Sequence, residues 1–198
     1  MGFPPRIAIA SRNPGKIREI LRICSDWPVA WVTYTAQDWP DVEETGETYV
    51  ENALLKARAV VRALDIPGLA DDSGIEVDAL GGGPGVRSAR FAGEGATDRG
   101  NLQLLIRRVS EVPQHERTAR YRCVAVCVSP HGGELGTEAT CEGTLTISPR
   151  GTGGFGYDPI FVPKGETRTM AELSDEEKDV ISHRGQALRA LRAKLAEA

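Results

Sequence analysis

The sequence predicts an α/β fold built on a mixed sheet, and three observations carry that expectation. Strand-like and helix-like segments are interleaved along the chain. The stretch 118–147 holds two long strand signals around a glycine turn, a hairpin that a purely parallel sheet does not contain. The chain has 198 residues and shows no linker, repeat or low-complexity tract, which at ~100–200 residues per domain amounts to about one domain. Residues 1–198 are therefore expected to form a single domain, with room for two lobes.

Each element follows from a local signal. Arg6 to Ser11 (RIAIAS) is a short apolar strand. Asn13 then caps a helix with Pro14 at its first position, and Ile17, Ile20, Leu21 and Cys24 follow at helical spacing. Residues 29–35 (VAWVTYT) are β-branched and aromatic enough for a second strand. Thr48 and Glu51 form a capping box that opens a helix running to about Leu64. Leu69 to Leu80 is expected to be a strand broken by a loop. Thr97 caps a helix carrying Leu102, Leu105, Ile106 and Val109. Residues 118–129 and 137–147 are the two hairpin strands, joined by a turn containing Gly132 and Gly133. Ser174 and Glu177 make a second capping box, and Ser182 caps a last helix whose Leu188, Leu191 and Leu195 face inward.

Composition narrows the partners and the compartment. Hydrophobic residues are 40% and charged residues 26%, with 24 Lys and Arg against 28 Asp and Glu for a net charge of −4. A mildly acidic chain disfavours polymeric nucleic acid, whose binding runs on clustered cations, yet leaves room for a small anionic ligand. No run approaches the roughly 18 apolar residues of a membrane span, and the start has no signal-peptide core. Gly2 follows Met1, but a myristoylation motif wants Ser or Thr where Arg6 stands. Cys123 and Cys127 would share one strand face about 13 Å apart, beyond the ~7 Å that a disulfide allows. All four cysteines (Cys24, Cys123, Cys127 and Cys141) are expected as reduced, mostly buried thiols of a cytoplasmic protein.

Four segments carry possible chemistry. Ser11-Arg12-Asn13-Pro14-Gly15-Lys16 lies at a strand-to-helix junction, where backbone N–H groups and a partial positive charge suit a phosphate. The Walker spacing is absent, and an ordinary capped helix with a surface lysine would read the same way. In Leu69-Ala70-Asp71-Asp72-Ser73-Gly74, two adjacent carboxylates end an apolar strand, which is costly unless something positive pairs them. A hard cation such as Mg²⁺ would do so; a plain turn is the alternative. Side chains alternate along a strand, so one of the two aspartates would contact a metal more directly. Glu44, in the acidic run 43–47, could complete such a site. In Gly151 to Pro159 the glycines let backbone approach a ligand, and Phe155 and Tyr157 offer rings on which a base could stack; simple packing is the alternative. Lys178, His183 and Arg184 are the fourth group. The latter two would stand in the first turn of the last helix, where cations oppose the helix dipole and a ligand would compensate.

Together these segments resemble the inosine/xanthosine triphosphate pyrophosphatase family. The matching stretches are Ser11 to Lys16 (S-x-N-x-x-K), Glu43 to Ala57 (EETGETYVENALLKA), Leu69 to Gly93 (LADDSGIEVDALGGGPGVRSARFAG), Gly151 to Pro163 (GTGGFGYDPIFVP) and Glu177 to Leu188 (EKDVISHRGQAL). They occur in family order and spacing over nearly the whole chain. The resemblance implies an elongated mixed sheet with flanking helices, two lobes around a nucleotide cleft, and a homodimer. It implies hydrolysis of the deaminated purine triphosphates ITP, dITP and XTP to a monophosphate and pyrophosphate, with Mg²⁺ as cofactor. By motif position, Asp72 is the general base and a metal ligand, Glu44 the other metal ligand, and Asp71, nearby, a third candidate for the metal. Ser11, Arg12, Asn13, Pro14, Gly15 and Lys16, with Ser73, would hold the phosphates. Phe155, Gly156, Tyr157, Asp158, Lys178, His183 and Arg184 would hold the nucleotide, chiefly its base.

Overall fold

A computed structural model of the chain describes residues 3–197, so Met1, Gly2 and Ala198, and with them the reading of Gly2, lie outside the described residues. Six strands and five α-helices follow in the order β1 (Arg6–Ile9), α1 (Pro14–Ile23), β2 (Ala30–Val32), α2 (Tyr49–Leu64), β3 (Gly68–Val77), α3 (Asp98–Val109), β4 (Thr118–Val128), β5 (Glu134–Leu145), β6 (Phe161–Pro163), α4 (Asp175–Ile181) and α5 (His183–Glu197). The sheet order is β2-β1-β3-β4-β5-β6. β1 runs parallel to β2 and to β3, while β5 and β6 are antiparallel. The sheet is mixed, as expected.

The helix starts lie where their caps place them. Asn13 accepts from the N–H groups of Gly15 and Lys16, and Pro14 stands at the first turn. Thr48 and Glu51 cap each other's backbone at the start of α2, and Thr97 caps α3. The β4–β5 hairpin closes through the N–H of Ser129 on the carbonyl of Gly133.

Two expectations are corrected. The second strand shrinks from 29–35 to three residues, because the carbonyl of Thr33 accepts from Ala36 and Gln37 and turns the chain. β3 runs unbroken through Asp71-Asp72-Ser73-Gly74, although these are turn formers. Tertiary burial overrides local preference here, since Gly68 through Asp72 are all buried. The break comes later, in a 3₁₀ turn at Asp78–Leu80. Ser182, extended, ends α4 with its N–H on the carbonyl of Lys178 and stands directly before His183, at the position that opens α5.

The chain forms two compact units, each assembled from separate segments. Among the described residues, the first comprises 3–72, Cys123–Ala139 and 184–197; the second comprises Ser73–Arg122 and Thr140–His183. The first has a core of Ile7, Ile9, Ile20 and Leu69 with Cys123, Cys127, Leu188, Leu191 and Leu195. The inward leucines of the last helix and the shared face of the two strand cysteines are thus as expected. The second has its own core of Ile75, Val77, Leu105, Val109, Tyr121, Leu145 and Phe161. All four cysteines are free and buried.

Candidate active site

In the first unit, the adjacent aspartates of β3 point to opposite sides, and each finds its own cation. Asp71 is fully buried, and its Oδ2 accepts from Arg184 Nε (3.2 Å) and Nη2 (3.0 Å). Lys16 Nζ lies 3.2 Å from the same oxygen. Burial alone would raise the Asp71 pKa, but the charges of Arg184, then Lys16 and Lys56, overcome it and hold the carboxyl well below the usual range. The other end of the Arg184 guanidinium is bound to Glu19 of α1. This buried chain of alternating charges explains how α5 tolerates an arginine in its first turn: two internal carboxylates compensate it.

Asp72 faces a different set. Its Oδ1 lies 3.2 Å from Lys56 Nζ, and the same ammonium is 2.7 Å from Glu44 Oε1. Its Oδ2 accepts from Asn52 Nδ2 at 3.4 Å. Asn52 is fully buried, and its amide also brackets Gly46, accepting from the N–H (2.8 Å) and donating to the carbonyl (3.3 Å). One side chain thus ties Asp72 to the loop that carries Glu44. Burial raises the Asp72 pKa; Lys16 and Lys56 oppose this, and Glu44 and Asp71 reinforce it. Lys56 keeps its charge despite burial, because Asp72, Glu44 and Asp71 surround it.

The donor set suits a hard cation. Among the described residues no group of three or more His, Cys, Asp or Glu is arranged to hold a metal. Two carboxylates from different elements nevertheless converge on one positive charge. Mg²⁺ and similar ions take one or two carboxylates and complete their shell with water and substrate phosphate. Glu44 and Asp72 meet that requirement, whereas Asp71 is committed to Arg184 and Lys16.

The Ser11–Lys16 segment divides its labour. The Asn13 side chain is occupied by capping, and Ser11 Oγ accepts from the Asn13 N–H at 3.2 Å. Lys16 reaches back to β3. Arg12 turns away, donating to Asp38 Oδ1 (2.9 Å) and to the carbonyl of Trp39, with its guanidinium 5.3 Å from the Tyr34 ring centroid. It fastens the segment that leads to Glu44.

In the second unit, Asp158 is the hub. Its Oδ2 accepts from Lys178 Nζ (2.5 Å) and from the N–H of Phe155 (2.8 Å), and its Oδ1 from the Tyr121 hydroxyl (3.2 Å). Lys178 Nζ also stands 5.2 Å from the Phe155 ring centroid. The close approach requires Gly154, at φ +67°, where a Cβ would lie 2.0 Å from Asp158 Oδ2. His183 stacks on Tyr121 with centroids 4.6 Å apart and planes within 6°. The two loop aromatics part company. Phe155 is half-buried, while Tyr157 is a core residue whose hydroxyl donates to the carbonyl of Ser88 at 2.7 Å. The N–H of Gly156 donates to Asp98 at 3.1 Å. Ser73, directly after Asp72, is half-buried.

Sequence reasoning passed over Lys56, Asn52, Glu19 and Tyr121. Asn52 and Lys56 did leave a signal: they stand four apart on α2 beside the buried Ala53, Ala57 and Val60, two polar groups on a core-facing surface. Glu19 and Tyr121 gave none, because their partners are distant in sequence.

Residues 7–194 match the Ham1 family. A protein of Streptomyces avermitilis named dITP/XTP pyrophosphatase is 50% identical over 189 residues, covering 94% of each chain. One of Escherichia coli K12 with the same name is 47% identical over 190 residues, covering 94% of this chain and 95% of its own. The solved structure of a HAM1 protein from Coxiella burnetii superposes with a TM-score of 0.87 at 40% identity, covering 98% of this chain and 100% of its own. A match over nearly the full length at these identities is decisive: the chain belongs to the Ham1 family.

Proposed function

We propose that this protein hydrolyses the deaminated purine triphosphates ITP, dITP and XTP to the monophosphate and pyrophosphate, removing them from the nucleotide pool. The observation that carries the reading is the convergence of Glu44 and Asp72 on one cation beside Lys16, in a chain whose relatives are named dITP/XTP pyrophosphatase. Glu44 and Asp72 hold the metal, Mg²⁺ in the first instance. When bound, the ion neutralises the polyphosphate and lowers the pKa of water.

The chain's own residues supply the rest. Asp72, oriented by Asn52, accepts a proton from the water that attacks the α-phosphorus. A new P–O bond forms there, and the bond to the oxygen bridging to the β-phosphorus breaks. Lys16 stabilises the charge that develops on departing pyrophosphate. Ser11, Asn13, Pro14 and Gly15 shape the phosphate end with Ser73. Arg184 acts through Asp71, on which Lys16 rests, and Arg12 through the segment that carries Glu44.

Phe155 offers its ring to the base, and Lys178 and His183 offer donors to the 6-oxo group that adenine lacks. A buried donor facing the adenine amino group would be unpaired, and such mismatches discriminate by as much as ~10⁴–10⁵. Gly156, Tyr157 and Asp158 hold that loop in shape. We extend the reading to a cytoplasmic homodimer of single-domain chains, on the family resemblance.

The test is a panel of triphosphates with pyrophosphate detection. ITP, dITP and XTP are expected to turn over well ahead of ATP, GTP and pyrimidine triphosphates. Preference for a pyrimidine, or tight ITP binding without turnover in Mg²⁺, would overturn the reading.

A further inference from the structure

We infer that Lys56 is a built-in counter-ion of the Glu44–Asp72 pair, which a divalent cation must displace before it can bind. The inference rests on the metal reading above and adds to it a residue that sets metal affinity. Lys56 Nζ is 2.7 Å from Glu44 Oε1 and 3.2 Å from Asp72 Oδ1, with 13% of its side chain exposed. The ammonium therefore sits between the two carboxylates that would share an ion, and it uses an oxygen of each. A divalent cation drawn to these two carboxylates would lie close to the ammonium in a largely buried place, where like charges repel strongly.

The arrangement has two consequences. Without a metal, the carboxylates do not face each other unpaired, so the site keeps its shape. With a metal, the ammonium must leave, and it stays uncompensated unless another anion reaches it. A divalent ion alone then binds weakly, and one accompanied by an anionic ligand binds more tightly, which is a positive coupling between the two.

The experiment is Mn²⁺ binding to the full chain in the absence of nucleotide, read by the electron-spin resonance of free Mn²⁺. Lys56→Met and Lys56→Gln are compared with the wild type and with Lys56→Arg, and circular dichroism establishes that each variant is folded. The neutral variants are expected to bind roughly tenfold tighter or better, a coupling of ordinary size. Lys56→Arg is expected to stay near the wild type. Adding Asp72→Asn to Lys56→Gln is expected to abolish the gain. Equal or weaker binding by both neutral variants would overturn the proposal, as would a gain that survives Asp72→Asn. Should no chain bind Mn²⁺, the metal reading itself falls and this inference with it. Should all bind alike, only the inference falls.

Discussion

Asp71 and Asp72 are neighbours in one strand, yet their replacement by asparagine is predicted to have opposite effects on stability. Asp71 is fully buried and neutralises Arg184 at 3.0 Å and Lys16 at 3.2 Å. Asp71→Asn leaves both cations undercompensated. Removing one partner of a buried pair costs about 3–5 kcal/mol, which at this chain length lowers the melting temperature by roughly 6–20 °C. Asp72 has its pKa raised in the folded chain, first by burial, so its ionised form is a cost to stability above the unfolded value of ~3.9. Asp72→Asn relieves that cost and is expected to raise stability, while removing turnover.

The pH dependence follows the same signs. Asp71, held low in the folded state, contributes stability that is fully present above the unfolded value of ~3.9 and lost as pH falls toward its folded value. The gap between wild type and Asp71→Asn therefore narrows in acid. Scanning calorimetry from neutral to acid pH, with pyrophosphate release measured in parallel, checks both variants. Equal destabilisation by the two substitutions, or an unchanged melting temperature for Asp71→Asn, would refute the reasoning.

Other outcomes follow from the same structure. Gly154→Ala places a Cβ 2.0 Å from Asp158 Oδ2 and 2.9 Å from Lys178 Nζ at φ +67°; it is expected to cost about 1–3 kcal/mol and to raise KM for ITP more than it lowers kcat, as steady-state kinetics will show. Protons and metal compete for Asp72, whose pKa is raised, so the apparent Mg²⁺ affinity is expected to weaken as pH falls through a value above the ordinary ~3.9, measurable by calorimetric titration. Because both compact units are assembled from interleaved segments, the single-domain reading predicts one unfolding transition, seen at the same denaturant concentration by fluorescence and circular dichroism.

Local chemistry was legible in the sequence wherever the chain signals over a few residues. Asn13 and Pro14, Thr48 and Glu51, and the glycine turn of the hairpin each act within one turn, so their elements appear where expected. The need of Asp71 and Asp72 for positive partners was also legible, since buried charge must be compensated. Which cations would do so was not. Arg184 is 113 residues from Asp71, and its other carboxylate, Glu19, is 165 residues away. No periodicity connects positions that only the folded chain brings together. Phe155 and Tyr157 read alike as loop aromatics, and only packing turns Tyr157 into the core while leaving Phe155 accessible. The unbroken β3 shows the same limit, because turn-forming residues stay extended where their surroundings bury them.

The most direct test of the central claim is hydrolysis of ITP in ¹⁸O-labelled water with Mg²⁺ and analysis of both products by mass spectrometry. Attack on the α-phosphorus predicts IMP carrying the label and unlabelled pyrophosphate. Release of IDP with labelled inorganic phosphate, or label in the pyrophosphate, would contradict it.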